Sequence, residues 1–175
     1  KIECASCGED GLEFLETNHV KSRKEMGHAN DLTGSALHVR LRKDGFPEGI
    51  NILCSNCNWI DNLEKHKIRA KTPVPQSRDR RDYNKQYLLR IKIEAFTPYS
   101  NGKPKCACCS IDNIDVLSID HIIPQSYFKG EKKRIGIGLN RYLIKNSFPR
   151  GYQILCRNCN SSKSDKSLCY HQIKR

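Results

Sequence analysis

The dipeptide Asp120-His121 lies between two pairs of cysteines, Cys106/Cys109 before it and Cys156/Cys159 after it. Asn160 follows the last cysteine directly, and Lys163 comes soon after. Four thiolates at Cys-x-x-Cys…Cys-x-x-Cys spacing suit one tetrahedral Zn²⁺. Asp120 and Asn160 carry oxygen donors of the kind that hold a hard cation such as Mg²⁺ or Mn²⁺. His121 is the side chain best matched to taking a proton from water near neutral pH. A structural ion, a hard cation and an imidazole base are together the parts of a metal-dependent phosphodiester hydrolysis.

These residues belong to a unit that is written twice. At an offset of 102 residues Cys4 maps to Cys106, Cys7 to Cys109, His19 to His121, Cys54 to Cys156 and Cys57 to Cys159. The match extends beyond the ligands. Leu37, Leu41, Lys43, Phe46, Pro47, Gly49, Ile52 and Leu53 reappear as Leu139, Leu143, Lys145, Phe148, Pro149, Gly151, Ile154 and Leu155. Residues 1–73 and 103–175 share 20 identities in 73 ungapped positions, where composition alone gives roughly one in sixteen. This is an internal duplication. Each copy supplies one Cys4 set, so two structural zinc ions are expected: Cys4, Cys7, Cys54 and Cys57 at the first, Cys106, Cys109, Cys156 and Cys159 at the second. Cys108 and Cys169 have no counterpart in the first copy and read as ordinary packed or surface thiols.

The bulk properties agree with stapled units. At 175 residues and 37% hydrophobic content, each half has a thin core and needs extra ties. Eight of the ten cysteines fall into Cys-x-x-Cys pairs and no signal-peptide pattern opens the chain, which favours zinc in an intracellular, reducing compartment over disulfides in a secreted protein. No apolar run is long enough to span a membrane. The net charge is +12, which calls for a polyanion partner. Residues 1–72 hold 11 Lys+Arg and 11 Asp+Glu, so the whole excess falls in residues 73–175 and nucleic acid should be gripped there.

The elements that must position these residues are short. Leu12–Val20 alternates loosely and predicts a hairpin strand ending at Asn18-His19. Lys21–Ser35 is polar and loop-like. Leu37–Asp44 predicts a short helix closed by Gly45 and Pro47. Ile50–Leu53 leads into Cys54, and a further helix is expected from about Asn56 to Ile68. Thr72–Ser77, with two prolines, is a linker. Arg78–Phe96 predicts a helix with Tyr83, Tyr87, Leu88, Ile91 and Ala95 on one face, and Arg78, Arg80, Arg81, Lys85, Arg90 and Lys92 over much of the rest. It reads either as a solvated cover over a core or as a phosphate-tracking helix. The second copy then repeats the order of the first. Its central loop is more basic, with Lys129, Lys132, Lys133, Arg134, Arg141, Lys145 and Arg150. The organisation is thus a first unit at 1–72, a linker and basic helix at 73–102, and a second unit at 103–175.

Ser118–Ser126, followed by Leu155–Asp165 with its Cys156-x-x-Cys159-Asn160 core, resembles the HNH endonucleases in their zinc-stapled branch. The resemblance covers essentially all of 103–166 and, more weakly, 1–60. It implies a small α+β, zinc-stabilised fold of two tandem treble-clef or ββα-metal units joined by the basic helix. It implies His121 as general base, Asp120 and Asn160 as ligands of a catalytic Mg²⁺ or Mn²⁺, and Lys163 as a phosphate contact. With Lys163, the residues Arg141, Lys145, Arg81 and Lys85 are the expected contacts to nucleic acid. It further implies a nicking or homing-type enzyme of a phage or mobile element that leaves 5′-phosphate and 3′-hydroxyl ends. The family's middle Asn is replaced by Gly151, and by Gly49 in the first copy; Gln153 is a candidate to hold the site in its place.

The first copy departs further. Asn18 stands where the second has Asp120, Asp61 where it has Lys163, and Trp59 where it has Ser161, while His19 and Asn58 remain. Asn18, His19 and Asn58 are therefore read as a degenerate counterpart site, kept for structure or protein contact. Two function classes stand: an endonuclease with one competent centre, acting on DNA or RNA, or a non-catalytic zinc-stapled nucleic-acid-binding protein inside a larger assembly. The tandem units also suggest a pseudo-dimer.

Overall fold

The structure is a computed structural model and describes residues 1–29, 32–69, 78–122, 134–163 and 168–173. It is a small mixed α+β protein. The described elements run β1 (Leu15–His19), α1 (Gly34–Lys43), β2 (Ile50–Cys54), α2 (Ser55–Arg69), α3 (Arg78–Phe96), β3 (Leu117–His121), α4 (Gly136–Lys145), β4 (Tyr152–Cys156), α5 (Arg157–Lys163) and α6 (Tyr170–Ile173). The expected linker at 72–77, the Ile123–Ser126 part of the motif, the basic loop residues Lys129, Lys132 and Lys133, and the side chains of Arg78 and Arg81 lie outside the described residues.

Two compact units divide the chain, Lys1–Asn58 and Trp59–Arg175. The division falls inside α2 because Trp59 and Ile60 pack against the core of the second unit. There the Arg157 guanidinium sits 3.5 Å from the centre of the Trp59 ring.

Each unit is built on one antiparallel two-stranded sheet, β1 with β2 and β3 with β4. The registers coincide at the offset of 102, with Leu15 opposite Cys54 and Leu117 opposite Cys156. The turns coincide as well. The Ala5 N–H donates to the Ile52 carbonyl and the Ala107 N–H to Ile154. Past the equivalent helices, Phe46 N–H donates to Leu41 and Phe148 N–H to Leu143. The duplication seen in the letters is therefore a duplication of backbone hydrogen bonds.

The cores are thin, as expected. In the first unit Phe14, Leu37, Leu41 and Leu53 are buried beside Cys4 and Cys54. The second buries Ala95, Phe96, Val116, Leu117, Ile154 and Leu155 among Cys106, Cys156, Cys159 and Cys169. Each large apolar side chain contributes about 1.5–3 kcal/mol, so thiol-rich cores of this size lean on whatever ties the thiols together.

Helix α3 has the expected bounds but not the expected apolar face. Ala95 and Phe96 are buried, whereas Tyr83 is 67% and Leu88 47% exposed. Among the described residues of α3, the buried side chains are those of its last turn. Tyr87 is instead flanked by two guanidiniums, Arg90 at 5.6 Å and Arg141 at 5.8 Å from its ring centre.

Gly151 takes φ +100 and Gly49 φ +101, a region that side chains with a Cβ rarely enter. The Gly151 carbonyl accepts the Ile122 N–H at 2.9 Å, which closes the hairpin directly after His121. The position that the resemblance assigns to an Asn is thus one where the backbone itself ties the hairpin. Gly151→Ala is expected to lower the stability of the second unit by about 1–3 kcal/mol in chemical denaturation of the zinc-loaded protein, and an unchanged midpoint would contradict this role.

Candidate active site and metal centres

All ten cysteines are free, and eight form the two expected groups: Cys4, Cys7, Cys54 and Cys57, and Cys106, Cys109, Cys156 and Cys159. Within each group the sulfur atoms lie within 4.8 Å of one another. A tetrahedron with metal–sulfur bonds of about 2.3 Å has edges of about 3.8 Å. Cys7 and Cys54 are 3.8 Å apart and Cys109 and Cys156 3.6 Å apart, so both groups have the size of a zinc site.

Their acidities point the same way. Hydrogen bonds from Cys109, Cys156 and Cys159 hold the Cys106 thiol far below its ordinary range. The same bonds, with Cys106 first, push Cys159 far above it. In the first unit burial pushes Cys4 up, but backbone hydrogen bonds at Cys54, Ser6 and Cys7 outweigh it and bring it down to about 7. One thiol in such a group ionises readily and its neighbours then resist, unless a divalent cation joins them.

A metal at the second group would also aim the helix. Cys156 ends β4 and Cys159 lies in the first turn of α5, so an ion there would fix the helix against the hairpin. Strand alternation puts Ser118 and Asp120 on one face of β3. Helix spacing puts Asn160 and Lys163 on one face of α5. The two faces meet. Asn160 Nδ2 donates to Ser118 Oγ at 3.1 Å, and Lys163 Nζ donates to Asp120 Oδ2 at 2.7 Å. Gln153, directly opposite Asp120 in the sheet, donates to the same carboxylate oxygen at 2.7 Å. Asp120 and Lys163 have side chains only 13% and 12% exposed, so the pair is largely desolvated. Lys163 also donates to the His121 carbonyl at 3.0 Å. The His121 ring leaves the other side of the strand and stands 4.8 Å from the Tyr152 ring, centre to centre. Acid, amide and ammonium thus share one face at this end of the hairpin, and the imidazole stands on the opposite face beside Tyr152.

The other expected nucleic-acid contacts differ in character. Lys85, Arg141 and Lys145 are exposed. Lys92 is not: its ammonium donates to the Ile114 carbonyl at 2.7 Å, and burial pushes its pKa down against the pull of Asp115.

In the first unit the counterpart residues are engaged differently. Asn18 is buried and donates to Asn51 Oδ1 at 3.0 Å. His19 Nε2 lies 2.9 Å from Nδ1 of the buried His28, whose Nε2 is 3.9 Å from Asp44 Oδ2. Asn58 donates to Glu16 Oε2 at 2.7 Å, and Ser55 hydrogen-bonds the other oxygen of the same carboxylate. Glu16 occupies the position of Ser118, so the carboxylate of this unit sits two residues earlier on the strand than Asp120. Sequence reasoning missed Glu16, His28 and Asp44, because none has an equivalent of like chemistry in the second copy. Lys163's counterpart Asp61 pairs along its own helix with Lys65 at 2.5 Å.

No protein-family model, curated protein or solved structure matches the chain. No helix among the described residues is long and apolar enough to cross a membrane.

Stripping metal with a strong chelator under reducing conditions is expected to abolish the folded far-ultraviolet circular dichroism signal, since such sites contribute on the order of 10 kcal/mol in small peptides. A spectrum indifferent to the chelator would show that the thiols only pack.

Proposed function

We propose that the second unit is a metal-dependent endonuclease centre of the HNH type, with each unit a treble-clef, ββα-metal module and the first one catalytically silent. The observation that carries this reading is the meeting of α5 with β3. Asn160 and Lys163 reach the Ser118–Asp120 face of the strand that ends at His121, although more than thirty residues separate the two segments. A zinc-stapled binding module has no chemical need for that gathering.

The chemistry follows from the residues. Asp120 and Asn160 would hold a Mg²⁺ or Mn²⁺ ion, which when bound stabilises charge on the phosphorus and on the leaving oxygen. Gln153 keeps the Asp120 carboxylate turned toward α5. His121 takes the proton from the attacking water. Lys163 neutralises Asp120; where a cation takes over the carboxylate, the ammonium is released to contact phosphate. The exposed Lys85, Arg141 and Lys145, with the charge excess of residues 73–175, favour a nucleic-acid backbone, most simply DNA inside a cell. Asn18 supplies no anionic ligand and His19 is tied to His28, which supports the silent reading of the first unit.

One observation favours a second reading. With Lys163 on Asp120 and Asn160 on Ser118, the face is satisfied by the protein alone. A nucleic-acid-binding protein descended from a nuclease would keep such a face closed by its own hydrogen bonds, with no cation.

Nicking of supercoiled plasmid in Mg²⁺ or Mn²⁺ separates the two. Asp120→Ala and His121→Ala are each expected to slow nicking by at least about 100-fold, whereas His19→Ala should stay within about two-fold of the parent. Equal nicking by parent and His121→Ala would remove the imidazole from the mechanism. A parent that binds DNA in a salt-dependent way and never nicks it would establish the binding reading instead.

A further inference from the structure

The two cysteines without a counterpart in the first unit lie together. Cys108 Sγ is 2.7 Å from Cys169 Sγ. Cys159, itself a member of the Cys106/Cys109/Cys156/Cys159 group, stands with its sulfur 3.4 Å from Nδ1 of His171. The four donor atoms of Cys108, Cys159, Cys169 and His171 all lie within 4.8 Å of one another. Cys159 and Cys169 are fully buried, and Cys108 and His171 are half-buried.

We propose that the second unit binds two zinc ions, not one, with the Cys159 thiolate bridging them. The first ion takes Cys106, Cys109, Cys156 and Cys159. The second takes Cys108, Cys159, Cys169 and His171. Seven donors fill eight tetrahedral positions when one thiolate is shared. Soft sulfur with a single imidazole selects zinc over hard cations. The Cys159–His171 separation is close to the sulfur–nitrogen edge of about 3.5 Å that zinc bond lengths imply.

A disulfide between Cys108 and Cys169 is the competing use of the pair. Its bond is about 2.05 Å, and tetrahedral zinc sets sulfurs about 3.8 Å apart, so 2.7 Å lies between the two. The remaining donors decide. A disulfide gives no reason for a third sulfur and an imidazole to converge on the same point.

The position of the second ion has a mechanical reason. Helix α2 runs for 15 residues, whereas α5, which carries Asn160 and Lys163, runs for 7 among the described residues. A helix that short is not stable by itself. The segment carrying Cys169 and His171 folds back on it: Tyr170 N–H donates to Ser162 Oγ at 3.3 Å, and Cys169 N–H to Gln172 Oε1 at 2.9 Å. A second zinc would tie the Cys106–Cys109 knuckle, α5 and α6 to one point. The first unit has Ser6, Lys67 and Arg69 at the equivalent places, so the device belongs to the second unit alone.

Native electrospray mass spectrometry of the whole zinc-loaded protein, purified under reducing conditions, tests this. Three zinc ions per chain are expected, and two in either Cys108→Ser or His171→Ala. X-ray absorption at the zinc edge of the parent needs no variant to fold. It should show one nitrogen ligand for every three zinc ions. Two zinc ions in the parent, three in either variant, an all-sulfur zinc environment, or a parent mass lower by two hydrogens from a Cys108–Cys169 disulfide would each overturn the proposal.

Discussion

The structure depends on thiols that belong to two elements at once. In each unit the last cysteine of a strand and a cysteine in the following helix face a pair from a knuckle near the start. A hairpin of five-residue strands and a helix of two turns have little apolar surface to hold them at a fixed angle. A metal at the thiols sets that angle directly, because tetrahedral geometry admits little play. The polar contacts of Asp120, Asn160 and Lys163 cross from β3 to α5, and that of Gln153 lies within the hairpin beside them. A metal at these thiols would hold Lys163 against Asp120 and Asn160 against Ser118.

The two copies show what a shared scaffold permits. Their registers, turns and left-handed residues coincide, yet the polar residues on them have diverged in kind. The second unit sets a carboxylate against an ammonium, with an imidazole on the next residue of the strand, against Tyr152. The first moves its carboxylate to Glu16, buries an asparagine where the acid stood and chains His19 to His28. Backbone hydrogen bonds and thiol geometry tolerate these exchanges because neither involves the side chains that changed. The fold is the invariant; the chemistry is carried by a few polar positions on the strands and helices.

Much of this was legible in the letters. Cys-x-x-Cys spacing, an ungapped repeat and Gly or Pro punctuation gave the strands, the helices and the two thiol groups to within a few residues. Gln153 is a candidate holder of the site from the sequence alone, and the hairpin register then sets it directly opposite Asp120. Other features were hidden for physical reasons. The exposure of Tyr83 and Leu88 depends on how far the core reaches along α3, which helical periodicity does not encode. The His19–His28 contact joins a strand to an irregular segment that carries no pattern. Cys108 and Cys169 looked unpaired because neither has a counterpart in the first copy and 61 residues separate them in the chain.

The central claim is that the stapled helix and hairpin of the second unit form one seat for a hard cation at Asp120 and Asn160. Electron paramagnetic resonance of Mn²⁺ titrated into the zinc-loaded protein tests it most directly. One bound Mn²⁺ per chain is predicted, lost in Asp120→Ala while zinc content and circular dichroism stay unchanged. Mn²⁺ that remains free in the parent, or binds equally to Asp120→Ala, would contradict the account and leave Asp120 as no more than the partner of Lys163.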